Sequence, residues 1–229
     1  MTLNLILNIR RRLSTEISRR LIPSEFSIIS DDCWGGQFYR QLNIRYLTPT
    51  VGLFVMPHDY IEYIESFNAI HKEDLIFIES DKDYPVATLS GVEIHFMHYN
   101  NEEEARNKYW SRFERMHGNK QFIKIDFGKP GYTKAHIQKW NNLRIANSLA
   151  FYPAAIELPE EGVFNGVFIP DWQLDGANMF DISRKHFDIF KWVRKGVIHN
   201  GLLYRLLNVL LFDPTAPRRI ANKAFHRTR

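Results

Sequence analysis

Residues Asp31, Asp32, Cys33, Trp34, Gly35 and Gly36 set two carboxylates, the chain's only cysteine, a tryptophan and paired glycines side by side. A thiol at a helix start meets amide dipoles that lower its pKa and make it a nucleophile. That nucleophile needs a base, and the stretch 92–99 supplies His95 and His98. Strand alternation puts His98 on the apolar face with Val92, Ile94 and Phe96, and sends His95 to the opposite face. A histidine so placed is either a satisfied core residue or a general base in a low-dielectric pocket. Cys33 has its own plain alternative, a small buried hydrophobe. Asp31 and Asp32 can hold a divalent cation and with it a diphosphate, or they can cap a helix and shape a turn.

These groups need elements to position them. Residues 26–29 form a short apolar run without helical period, which reads as a buried strand, while Gly35-Gly36 permits a turn and Gln37 starts a helix. In open α/β sheets ligands sit beyond the carboxyl ends of strands, where this loop would lie. Further strands are expected at 51–55, 75–78, 86–89, 92–99 and 122–127, with a hairpin turn at Ser90-Gly91. Pro57 opens a helix in which Tyr60, Ile61, Ile64 and Phe67 recur at helical spacing. Asn100 or Asn101 caps another, with Glu102, Glu103 and Glu104 in its first turn and Gly118 at its end. The remainder is less regular. Strands are expected at 150–156 and 163–169, a helix from Asp181 or Ser183 to Val193, and an apolar core helix at 202–212. The alternation through residue 127 argues for an α/β fold with an antiparallel hairpin inserted.

Charge is concentrated at the ends. Residues 1–22 carry Arg10, Arg11, Arg12, Arg19 and Arg20 against Glu16, and residues 218–229 carry five bases and no acid. Between them remain 20 bases and 25 acids, a body of −5 inside a chain of +4, so no nucleic-acid partner is expected. Leu3, Ile6, Leu7, Leu13, Ile17 and Leu21 fall near one stripe of a helix. Such a helix lies on an anionic membrane surface, or it packs its leucines on the domain and solvates its arginines. The organisation is then a basic amphipathic helix (1–22), a single α/β domain (23–212) and a basic tail (213–229). A lone cysteine excludes an internal disulfide framework and fits a cytoplasmic location, peripheral on the inner membrane through residues 1–22. No apolar run reaches the roughly 18 residues that span a bilayer, and no signal peptide is expected. Neither a P-loop, nor zinc-ligand spacing, nor a Gly-x-Ser-x-Gly elbow is present.

Three ordered blocks, residues 28–36, residues 48–54, and residues 94–99 with Glu103, Glu104, Ala105, Tyr109, Trp110 and Arg112, resemble a bacterial family. It is the domain of unknown function 1919 family, often labelled exopolysaccharide biosynthesis protein. The likeness runs from about Phe26 to Phe127 and more loosely to about residue 200. It implies a three-layer α/β/α sandwich with a mixed sheet and an association with capsule or lipopolysaccharide gene clusters. The family usually has asparagine at positions 31 and 32 and serine at 48, so hydrogen bonding to a sugar is preferred over metal binding for Asp31 and Asp32.

The function expected from these features is a transferase acting on an activated or lipid-linked sugar in surface-polysaccharide assembly. A non-catalytic sugar- or phosphate-binding partner and a cysteine-dependent acyl transferase are the alternatives. His98 is the expected base and Cys33 the second catalytic candidate. Asp31, Asp32, Trp34, Gly35, Gly36, Thr48, Thr50, Tyr99 and Arg112 form the expected substrate-binding set. The expected partner is a sugar or sugar phosphate, with no metal and no cofactor.

Overall fold

Among the described residues there are two sheets of four strands, one wholly parallel and one wholly antiparallel. The computed structural model describes residues 2–71, 74–118, 120–199, 201–203 and 206. In order they form α1 (Thr2–Leu21), β1 (Ser27–Ser30), α2 (Trp34–Leu42), β2 (Phe54–Val55), α3 (Pro57–Ser66) and β3 (Leu75–Ile78). There follow β4 (Val86–Leu89), β5 (Val92–His95), α4 (Glu102–Phe113), β6 (Gln121–Asp126) and α5 (Lys134–Leu143). The described chain closes with β7 (Ser148–Tyr152), β8 (Gly166–Phe168), α6 (Gly176–Ser183) and α7 (Ile189–Lys195). The fold is α/β. Its parallel and antiparallel pairings segregate into separate sheets instead of sharing one mixed sheet.

The parallel sheet runs β1-β6-β7-β8 and is buried on both faces except at its edge strand β8, where Phe168 is exposed. Alternation along its strands splits the interior in two. Ile29, Ile123, Ile125 and Ala150 point to a core shared with α3, α4, α5 and the antiparallel sheet. Ile28, Phe122, Leu149 and Phe151 point to a second core closed by α2, α6 and α7. Trp34 is the hub of that second core, with ring centroids of Phe180, Phe151 and Trp192 at 5.4, 5.7 and 6.0 Å. The antiparallel sheet runs β2-β5-β4-β3, and its β4–β5 hairpin turns at Ser90 and Gly91, both at positive φ.

Several expectations shift. The helix expected from Gln37 begins at Trp34, so Gly35 and Gly36 lie inside α2 and make no turn. A Cβ on Gly35 would sit 3.1 Å from Ser30 Cβ, so the glycine serves the close approach of α2 to β1. β5 ends at His95, short of His98. The helix expected up to Val193 is two helices, capped separately by Asp175 and Asp188. Of the expected core helix 202–212, only Leu202, Leu203 and Leu206 are described, and all three are exposed. The basic tail 213–229 lies outside the described residues.

Helix α1 meets the body through polar contacts along its second half and through Leu21 at its end. Thr15 Oγ1 donates to Gln41 O at 3.4 Å, Arg19 Nε donates to Leu42 O at 2.7 Å, and Ser18 is buried. Ile9, Leu13 and Ile17, spaced by four residues on one stripe, are 50%, 59% and 47% exposed. Of the expected stripe, Leu13 and Ile17 are therefore exposed while Leu21, one turn further on, packs against the second core. Among the described residues no helix is long and apolar enough to cross a membrane.

Tyr60 of α3 fastens the two parallel strands nearest the loop of interest, its hydroxyl donating to Lys124 O at 2.9 Å and lying 3.3 Å from Ile29 O. Tyr60→Phe keeps the ring and deletes this bridge, and is expected to lower unfolding free energy by about 1 kcal/mol in urea titrations. An unchanged midpoint would mean the carbonyls need no such donor.

Candidate functional site

The carboxyl ends of β1 and β6 meet in a buried charge network. Lys124, on β6, reaches Asp31 Oδ1 at 3.0 Å and Asp32 Oδ2 at 2.7 Å. Lys129, in the loop after β6, lies 2.6 Å from Asp31 Oδ2 and 3.2 Å from Asp32 Oδ2, and donates to Asp31 O at 3.0 Å. The Asp126 N–H donates to Asp31 Oδ2 at 3.0 Å. Burial works against the Asp32 carboxylate, yet the charges of Lys124 and Lys129 hold it well below the usual carboxylate range. Burial likewise opposes the Lys124 ammonium, and the three aspartates more than reverse that, raising its pKa.

Three carboxylates face two ammoniums, and the surplus falls on Asp126. Its Oδ1 accepts from Trp172 Nε1 at 2.7 Å and Gly128 N at 3.0 Å. Its Oδ2 is buried without a hydrogen-bond partner, 3.8 Å from Lys124 Nζ. Burial is the main reason its pKa is pushed up to about 6. The network is a scaffold more than a ligand site, because the oxygens of Asp31 and Asp32 are already taken.

Above this scaffold Cys33 Sγ lies 3.5 Å from His98 Nε2. Asp32 fixes the approach to Cys33 by accepting from Trp34 N at 2.9 Å and Ser30 Oγ at 3.1 Å. His98 sits in the turn beyond β5, its N–H donating to Gly52 O at 3.1 Å. Gly52 has φ +79, and a Cβ there would meet Tyr99 Cε2 at 3.2 Å and His98 Cβ at 3.3 Å, so only glycine suits both backbone and space. The expected low thiol pKa is overturned. Burial, then the neighbouring Asp32 charge, push the Cys33 thiol up to about 11. Burial and the Arg40 charge lower the His98 pKa, with Asp175 opposing. Thiol and imidazole are therefore both neutral at neutral pH. His98 is exposed at the rim, not held on the apolar face that strand alternation suggested.

The remaining expected site residues divide. Trp34 is fully buried, with its Nε1 donating to Ser183 Oγ at 2.9 Å, and cannot stack on a sugar ring. Gly35 and Gly36 are buried in helix packing. Thr50 Oγ1 accepts from Ser30 N at 3.2 Å and lies 3.1 Å from Thr48 Oγ1, so these hydroxyls tie their loop to β1. Tyr99 is buried, and its hydroxyl donates to Val51 O at 2.5 Å. Arg112 donates to Val51 O at 2.8 Å and to the Tyr99 hydroxyl, while also lining a surface cleft. Sequence reasoning missed Lys124, Asp126, Lys129, Arg40 and Asp175. The available signal was Lys124 and Asp126 inside an otherwise apolar strand, where an ionised side chain must find a partner.

A family model described as domain of unknown function (DUF1919) matches residues 6–194. A protein of Haemophilus influenzae, described as an uncharacterized protein, is 32% identical over 188 residues, covering 80% of this chain and 89% of the relative.

The Asp126 pKa gives a signed prediction. Its folded value, about 6, exceeds its ordinary 3.8, so the folded state holds a proton that the unfolded chain releases in between. The stability it contributes is complete below pH 3.8 and is lost as pH rises through about 6. Asp126→Asn, which keeps an oxygen acceptor for Gly128 and Trp172, is expected to flatten that slope in denaturant titrations against pH. Parallel slopes in the two proteins would place the surplus charge on another group.

Proposed function

The chain belongs to the DUF1919 family, and for it we propose a transferase role in bacterial surface-polysaccharide assembly, with Cys33 as nucleophile and His98 as base. The observation that carries this reading is the 3.5 Å approach of Cys33 Sγ, at the carboxyl end of parallel strand β1, to His98 Nε2, beyond antiparallel strand β5. The carbohydrate setting rests on the family resemblance.

The pair works as a hydroxyl–imidazole pair would, neutral at rest. Cys33 Sγ attacks the acyl carbon of an activated donor, and its proton passes to His98 Nε2 as the C–S bond forms. His98 then hands that proton to the leaving group as the donor bond breaks. A sugar hydroxyl next attacks the thioester, giving its proton to His98, and Cys33 leaves as thiolate and takes the proton back. The Asp175 charge favours the imidazolium formed on the way. A neutral imidazole at the rim also suits a second reading, direct glycosyl transfer with His98 as base on the attacking sugar hydroxyl.

Helix α1 supports a peripheral membrane location. Its exposed stripe Ile9, Leu13 and Ile17 is accompanied by exposed Arg12 and Arg20, a composition suited to an anionic lipid surface. Co-flotation with anionic vesicles is expected, weakened about fivefold by Arg12→Gln, since each cation near such a surface contributes about 1 kcal/mol. Equal recovery with neutral vesicles or none would refute the docking.

Turnover is tested with acyl-coenzyme A donors, nucleotide sugars and glycan acceptors. His98→Ala is expected to reduce the rate by about 10²–10⁴-fold. Intact-mass analysis with donor alone should show an acyl adduct on the wild type and none on Cys33→Ser. A folded Cys33→Ser protein with full turnover would eliminate the covalent route in favour of direct transfer. Full turnover by His98→Ala would eliminate both.

A further inference from the structure

Beside the C-terminal end of α2 is a cleft of about 460 Å3 whose lining includes Arg40, Arg45, Tyr46, Lys108, Arg112 and Arg115 and no carboxylate. Its volume falls in the roughly 300–1,000 Å3 range of small-molecule sites. Tyr46 organises three of the guanidiniums. Arg40 Nε donates to its hydroxyl at 3.1 Å, Arg115 Nε donates to its carbonyl at 3.4 Å, and Arg112 lies over its ring at 5.0 Å. Arg112 is held further by Val51 O and the Tyr99 hydroxyl. Each of these partners is neutral, and the Glu114 charge offsets only part of the field at Arg115. Lys108, by contrast, is paired with Glu104.

Clustering like charges costs free energy that an incoming anion recovers. The cost is visible at Arg115, whose pKa is lowered by burial and then by the Arg45 and Arg112 charges, with Glu114 offsetting only part. Fixed planar guanidiniums suit phosphate oxygens, which accept paired N–H donors. Several of them in one cleft fit more than one phosphate. The surrounding body carries −5 once the basic ends are set aside, so the cleft is a local feature and not part of the broad basic surface that nucleic acid requires. Arg40 lines the cleft, and its charge acts on both Cys33 and His98.

We propose that this cleft binds the diphosphate of the donor substrate. Its membership of a donor rests on the transferase reading above, whereas its occupation by a diphosphate does not. Nucleoside diphosphates, coenzyme A thioesters and isoprenoid lipid diphosphates all carry the group. The lipid source has a structural argument of its own, because α1, with its exposed apolar stripe, touches the cleft edge where Arg19 donates to Asn43 O.

Isothermal titration of the full chain with inorganic pyrophosphate, uridine diphosphate and coenzyme A tests the binding directly. At least one is expected to bind, with affinity falling as salt rises. Arg45→Gln and Arg115→Gln should each weaken that binding about tenfold, the value of one charge-assisted hydrogen bond. Arg115→Gln also gives up the donation from Arg115 Nε to Tyr46 O, and thermal unfolding of each variant confirms that it folds. Cys33→Ser should bind as the wild type does, so loss of the transferase reading would leave this result intact. Tighter binding of uridine diphosphate or of coenzyme A than of pyrophosphate would identify a soluble donor. Binding to neutral vesicles only when they carry an isoprenyl diphosphate would identify a lipid donor. The proposal falls if no pyrophosphate, nucleotide, coenzyme or lipid diphosphate binds, or if the double arginine variant binds as tightly as the wild type.

Discussion

The buried Lys124 ammonium is the interaction on which the rest of the site depends. An unpaired cation in an apolar interior is prohibitively costly, so Lys124 folds only where carboxylates converge on it. Asp31 and Asp32 come from the end of β1 and Asp126 from the end of β6. Satisfying Lys124 therefore fixes the loop after β1 relative to the loop after β6. With Asp32 so held, its other oxygen accepts from the Trp34 N–H and sets where α2 starts. That start places Cys33 at the helix cap and drives Trp34 into the aromatic core. A charge constraint in the sheet thus determines the position of a half-buried thiol.

Two electrostatic regimes lie within a few residues of each other and do opposite things. In the network, carboxylates and ammoniums nearly cancel, and the single excess carboxylate is met by a raised pKa at Asp126. Such a region holds shape and offers a ligand little. In the cleft, guanidiniums are held by a tyrosine hydroxyl, a ring and backbone carbonyls, which leave most of their charge uncancelled. That region has a reason to bind. Between them, Cys33 and His98 are neutral, the state in which an imidazole can take a proton.

How much of this was legible in the sequence follows from the range of each signal. β3 and β4 match the runs 75–78 and 86–89, and α3 begins at Pro57, because strand composition and a proline start act over a few residues. Asn101 caps α4 by accepting from Glu104 N, as its local spacing suggests. Helix α5 was missed, although Thr133 and His136 form a reciprocal cap, because histidine is an unusual third member of that motif. The network could not be read, since Lys124 and Asp31 are 93 residues apart and nothing local in either segment names the other. The meeting of Cys33 with His98, 65 residues on, was suggested by chemistry, while the route was wrong. Strand alternation was extended past the end of β5, whereas Gly52 and the Phe96–Tyr99 turn bring His98 to Cys33.

The same distinction between local pattern and three-dimensional partner explains α1. Its apolar spacing is visible in the sequence, but which side faces the body depends on α2, whose C-terminal carbonyls are left without intrahelical donors. Thr15 and Arg19 supply donors to Gln41, Leu42 and Asn43, and this pairing turns the polar side inward. Ile9, Leu13 and Ile17 must then face outward. Capping a helix end and presenting an apolar stripe are thus one event. It sets that stripe beside a cleft of uncancelled guanidiniums, which puts hydrocarbon-seeking and phosphate-seeking groups on neighbouring parts of one surface.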